Sequence, residues 1–288
     1  MKIVGILMVI ICVFGGYVLA GGKMGIILKA LPLECVIILG AALGAFIIGN
    51  TMHTIKSTLS SLNCLVKPEA HSKADYIELL SVLFSIFKLA RTKGWLALES
   101  HIENPHESAV FNNFPKFSSN HHTVTMLCDY LRIISLGNED PHVIGDLMDE
   151  EIETIEHDAM HPSHAVQGMA DGIPALGIVA AVLGVIKTMA SISEPPEVLG
   201  KMIGGALVGT FLGVFVAYGF VGPIATALGV KGASKVMYYK CMRVCLISFL
   251  QGSAPQIAVE FGRKFLPHDL QPTFLELEEQ LNQIPALA

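Results

Sequence analysis

The chain has 288 residues, 52% of them apolar and only 15% charged, with a formal net charge of −6. A nucleic-acid-binding face needs clustered positive charge, so this balance argues against such a partner. The charge deficit is concentrated in four apolar stretches, roughly residues 3–20, 33–52, 172–192 and 202–228. Each approaches the length of about 20 residues at which a helix crosses a bilayer.

In chain order, Lys2, the first apolar run and Val18-Leu19-Ala20 share the outline of a signal peptide. The run exceeds the usual signal core of about 7–15 residues, so a retained first span is expected. The second span carries Gly40 and Gly44, a spacing that lets helix backbones approach. The acidic residues Glu34, Asp171, Glu194 and Glu197 fall at the edges of the apolar stretches. No carboxylate is therefore expected inside a span. Ion-driven membrane proteins need an ionisable group there, so another polypeptide is expected to supply it if this chain handles ions.

Residues 54–170 form a polar and mixed segment long enough for a helical domain of its own. Residues 77–90 are apolar on most faces, which predicts a buried helix interrupted by Gly94. Leu98 and Glu99 follow, then the turn-like Glu103-Asn104-Pro105. A second helix is predicted over 123–136 and a third over 140–159. In the third, Ile144, Leu147, Met148, Ile152 and Ile155 line one face. Strand signals are absent. His157, His161 and His164 share helical spacing, but spacing alone is weak evidence for a metal site.

Pro174 stands just inside the apparent start of the third span, where a proline costs little. The fourth span carries a small-residue stripe at four-residue intervals, Gly205, Gly209, Gly213 and Ala217, suited to close helix packing. Thr210 lies beside it, and its plain reading is a back-bond to a helix carbonyl. Pro223 sits deep in the same span, where it removes a backbone bond and kinks the helix. Beyond residue 228 a helical extension to about Leu250 is expected. Pro255, Pro267, Pro272 and Pro285 break up the remainder, and Leu275, Leu277 and Leu281 suggest one short helix.

Lysine and arginine set the topology. The central segment holds Lys56, Lys67, Lys73, Lys88, Arg91, Lys93, Lys116 and Arg132, and the tail opens with Lys231, Lys235, Lys240 and Arg243. Both segments, and both termini, are therefore expected in the cytoplasm. The six cysteines, Cys12, Cys35, Cys64, Cys128, Cys241 and Cys245, lack neighbouring zinc ligands and read as reduced and structural. The expected fold is an all-α integral membrane protein with four transmembrane helices. A large helical cytoplasmic domain separates the second and third, and a cytoplasmic tail ends the chain. The corresponding segments are 1–53, 54–170, 171–228 and 229–288. No Walker A loop, HExxH or GxSxG motif occurs, which excludes the common signatures of ATP hydrolysis and hydrolase chemistry. No cofactor is expected. The membrane potential remains as an energy source, worth about 2.3 kcal/mol per charge per 100 mV.

Leu98-Glu99-Ser100-His101-Ile102-Glu103-Asn104-Pro105 and the run from Ala170 through Val185 resemble the MotA family, the larger subunit of the bacterial flagellar stator. The resemblance spans essentially the whole chain. It implies a multi-pass protein of the bacterial inner membrane that forms an ion channel with MotB, whose aspartate binds the ion, and drives the rotor protein FliG. Arg91 and Glu99 resemble the pair that engages the rotor. Pro174 and Pro223 resemble the prolines that couple ion flow to shape change, and Thr210 a hydroxyl lining the ion path. Five copies around two MotB helices are implied as well. Proton and sodium both remain open as the ion. The nearest alternative is an ExbB or TolQ-like energiser of outer-membrane transport, which typically has three spans. A solute transporter would show mid-membrane polar groups and repeated halves, and neither is seen.

Overall fold

A computed structural model describes residues 2–62 and 71–284. Cys64, Lys67 and Pro285 lie outside the described residues. Within them the chain is helical and without strands. The principal helices are α1 (Lys2–Leu19, with a π-helical segment Ile11–Gly15), α2 (Met24–Gly49), α3 (Met52–Leu62), α4 (Lys73–Lys93) and α5 (His121–Ser135). They are followed by α6 (Pro141–Met189), α7 (Pro196–Val216), α8 (Gly222–Leu250), α9 (Pro255–Phe265) and α10 (Phe274–Asn282). Four helical stretches are long and apolar enough to cross a membrane: Lys2–Leu19, Met24–Gly49, Pro141–Met189 and Pro196–Leu250.

Two compact units divide the chain: Met1–Pro68 with Met160–Lys231, and Glu69–Ala159 with Gly232–Ala288. In the first, neighbouring side chains fix the helix directions. Ile26, Ala30 and Glu34 of α2 lie beside Gly204, Gly205 and Gly209 of α7, so these two helices run parallel. Ile173 and Gly177 of α6 lie beside Gly213, and Gly184 lies beside Ala206, so α6 runs antiparallel to α7. Val9 meets Gly219, while Phe14 packs edge-on to Phe215 with ring centres 5.3 Å apart, which reverses α1 as well. This is the alternation that four successive spans require. The outward side chains are apolar: Leu19 is 90% and Ile48 88% exposed, as lipid-facing residues would be.

Three expectations are corrected here. The second span begins at Met24, because neither Lys29 nor Pro32 ends the helix. Glu34 therefore sits inside it and not at its edge, and is only 8% exposed. The helix expected over 140–159 and the third span form one continuous helix of 49 residues, α6. Pro174 is consequently an interior proline and not a first-turn one, and it deprives the Ala170 carbonyl of its usual partner. Finally, the prolines after residue 250 do not exclude helix: Pro255 opens α9, where its missing N–H costs nothing.

The second unit is built around α4. Tyr76, Leu79, Leu80, Val82, Leu83, Ile86 and Phe87 are fully buried, as its nearly all-round apolar pattern predicts. Gly94 ends it at φ 81°, a conformation that favours glycine. The core extends onto Ile144, Met148, Ile152 and Ile155 of α6, the stripe read from the sequence, and onto Tyr239, Met242 and Leu246 of α8. The short helix expected around Leu275–Leu281 is α10, started by a reciprocal cap between Thr273 and Glu276. Lys73 closes on the same glutamate at 2.7 Å.

Cys241 and Cys245 are fully buried on α8, and the Cys241 thiol donates to the Gly262 carbonyl at 3.6 Å. A Cβ on Gly262 would stand 2.1 Å from Cys245 Sγ and 3.0 Å from Leu80 Cδ2, so α9 docks only because that position is glycine. Gly262→Ala is expected to destabilise the protein by about 1–3 kcal/mol, the usual cost of overpacking. Thermal unfolding of the purified protein in detergent would register it as a lowered midpoint, and an unchanged midpoint would contradict the contact.

Candidate functional site

The first unit contains a contact between backbones. A Cβ on Gly177 would lie 2.9 Å from the Gly209 carbonyl oxygen and 3.0 Å from Gly213 Cα. On Gly213 it would lie 2.9 Å from Gly177 Cα and 3.1 Å from the Ile173 carbonyl oxygen. Backbone atoms cannot move aside as a flexible side chain can, so α6 and α7 touch at a distance only glycine permits. Gly184 repeats the arrangement against Ala206, whose Cα would be 2.9 Å away. Gly209 faces two ways: a Cβ there would stand 3.1 Å from Ala180 Cβ on α6 and 2.8 Å from Glu34 Oε2 on α2. The stripe is uneven, since beside Gly205 the nearest atom is Ala30 Cβ at 4.0 Å. Gly40 and Gly44 have nothing within 4 Å and make no close contact among the described residues.

Thr210 is half-buried beside this contact. It lacks the expected back-bond among the described residues, whereas Thr188 donates to the Gly184 carbonyl at 2.9 Å. Pro223 is exposed and follows a π-helical turn, Ala217–Val221. The Gly222 N–H reaches back five residues to the Ala217 carbonyl. Widening the helix just before the proline accommodates its ring and its missing N–H. The Ser163 hydroxyl of α6 donates to the Ala225 carbonyl at 2.8 Å, which holds the segment after Pro223 against α6. Pro174 is half-buried, between the fully buried Ile173 and the close-packed Gly177.

In the second unit, Arg91 and Glu99 are both exposed. The break at Gly94 puts them on separate elements, so the angle of about 80° expected for one continuous helix does not apply. Trp95 packs edge-on to Phe249 at 5.6 Å, and Leu98 and Ile102 are buried. Glu103 accepts from Arg132 at 3.0 Å, and His101 shares a 2.9 Å hydrogen bond with Ser108. These anchors fix the segment and leave Glu99 outward. Neither Arg91 nor Glu99 forms an ion pair among the described residues. His157, His161 and His164 all lie on α6, the first and last exposed and His161 half-buried.

The sequence reading missed Glu34, Gly177 and Gly184 as site residues. The seven-residue interval between the two glycines was the available signal for one helix face.

Four apolar helices with these alternating directions and tight glycine contacts describe a multi-span helical membrane protein. Residues 119–240 match the MotA/TolQ/ExbB proton channel family, and residues 3–94 match the motility protein A N-terminal family. Motility protein A of Salmonella typhimurium is 43% identical over 282 residues, covering 98% of this chain and 95% of the relative. Motility protein A of Escherichia coli gives the same identity and coverage. The structure of the flagellar MotAB stator complex from Bacillus subtilis superposes with a TM-score of 0.71 at 26% identity, covering 92% of this chain and 95% of that one. The chain belongs to the motility protein A family.

Gly213→Ala is expected to separate α6 from α7 and lower the unfolding midpoint of the purified protein, at a cost of about 1–3 kcal/mol. Gly205→Ala, with only ordinary contact to accommodate, is expected to leave it unchanged. Equal effects from both would contradict the uneven stripe.

Proposed function

We propose that this chain is a flagellar stator subunit that forms a proton channel with a MotB-type partner and turns ion flow into torque on the rotor protein FliG. The observation that carries this reading is 43% identity to motility protein A over nearly the full chain. The glycine-lined helix packing supports it, as does the exposure of Arg91 and Glu99 on a well-anchored segment. Four candidate spans favour it over an ExbB or TolQ-like energiser, for which three are typical.

On this reading the second unit and both termini are cytoplasmic, in line with the lysine and arginine distribution. Five copies surround two partner helices, and the partner's aspartate binds the ion. Thr210 lines the path, with the proton as the transported ion and sodium as the alternative. Pro174 and Pro223 each leave a helix carbonyl without its usual partner, and so give two places where helices can adjust as the ion binds. Arg91 and Glu99 present fixed charges to a complementary rotor surface.

Co-purified with its partner and reconstituted in liposomes, the protein is expected to dissipate an imposed proton gradient. Failure to pass either protons or sodium would overturn the channel reading. Arg91→Glu with Glu99→Lys is expected to leave that flux intact while abolishing swimming. Loss of membrane-inserted complex in this double variant would instead make the charges structural. Pro223→Ala is expected to assemble and reach the motor but to generate reduced torque, measured as the rotation speed of tethered cells. Normal speed would reject the proline's coupling role.

A further inference from the structure

Glu34 is the one acidic residue of the apolar stretches that lies inside the packed first unit. It is 8% exposed, and its Oε2 has no hydrogen-bond partner. On α2 it belongs to a buried stripe with Ile27, Ile38, Ala42 and Phe46, so it faces the helix bundle. Oε2 points at Gly209, 2.8 Å from where a Cβ would stand. Any larger residue there would displace the carboxyl group.

Among the described residues no charged side chain pairs with it. Between Lys201 and Tyr218, α7 carries no ionisable side chain, and between Asp171 and Lys187 neither does α6. Asp171 is exposed and accepts from Gln167 at 2.8 Å. On α2 itself, Lys29 is exposed and Cys35 half-buried. An isolated carboxylate in apolar surroundings is strongly disfavoured, and the neutral acid avoids most of that penalty. Purely structural needs at this position would be met by an apolar residue, and ionisable groups within spans mark ion pathways and proton relays.

Resting on the channel reading above, we infer that Glu34 is a proton-binding group on this chain's own part of the ion path, at the contact of α2 with α7. In the packed arrangement the carboxyl group holds its proton. When α7 moves away at Gly209, water reaches Oε2, the O–H bond breaks heterolytically and the proton passes to that water. Glu34 is left as a carboxylate that takes up the next proton as the helices close. The π turn at Ala217–Val221 lies eight residues beyond Gly209 and supplies a place where α7 can adjust. The partner's aspartate is then joined by a second titrating group, contributed by each copy of this chain.

The test uses the full chain co-purified with its partner. Infrared difference spectra of the wild-type complex should contain a protonated-carboxyl stretching band that shifts in D2O and is absent from Glu34→Gln. In liposomes, Glu34→Gln should lower proton flux several-fold with assembly unchanged by size-exclusion chromatography. Glu34→Asp, which keeps the acid, should restore part of the flux. A purely structural role would predict the reverse order, because glutamine preserves the shape and aspartate does not. Wild-type flux in Glu34→Gln, or no acid band assignable to Glu34, overturns the inference. A wild-type complex that passes sodium but no protons overturns the relay role and leaves the channel reading standing, and one that passes neither ion overturns both.

Discussion

The membrane-type unit depends on one contact: the backbones of α6 and α7 meet at Gly177, Gly209 and Gly213 with no Cβ between them. In lipid, helices gain little from hiding apolar surface, because the tails are as apolar as leucine. Association rests on close dispersion contact, which decays quickly with distance. The three glycines make that contact possible, and the other placements follow. Ala180 and Ala206 fill the adjoining positions, α2 joins α6 and α7 in one core through Ile38 and Ala42, and its Glu34 meets Gly209 where Ala180 also approaches.

Much of this was legible in the sequence. The presence of four apolar spans, the buried helix ending at Gly94, the face carrying Ile144 to Ile155 and the helix near Leu277 all follow from their patterns. Each is a local property of spacing or of a residue's conformational range. What escaped notice depended on where helices end. Lys29 and Pro32 looked like a boundary, which placed Glu34 outside the second span. The polar run before Gly172 looked like another, which made Pro174 seem harmless. Helices passed through both because tertiary packing outweighs a single unfavourable residue. Pro255 misled in the opposite direction: it starts a helix that was expected to be loop.

The candidate site was legible as residue types but not as geometry. The small-residue stripe of the fourth span could be counted, yet nothing in its spacing distinguishes Gly213, pressed on backbone, from Gly205, which has room. The pair Arg91 and Glu99 could be named, but the angle between them could not be drawn through a residue at φ 81°. Contacts between segments distant in sequence decide such matters, and periodicity carries no information about them.

The π turn at Ala217–Val221 has a consequence for how this span can change. It holds one residue more than an α-helical path of the same length would, and each residue turns a helix by about 100°. The faces on either side are thus aligned by a count as much as by composition: Leu212 and Gly213 upstream, and Ala225 and Leu228, which pack with Val166, downstream. Deleting one residue of the turn would leave a regular α-helical turn between the same two faces, whereas deleting one from the regular helix on either side would swing a face by about 100°. The turn is therefore a place where this span can lose a residue without turning either face.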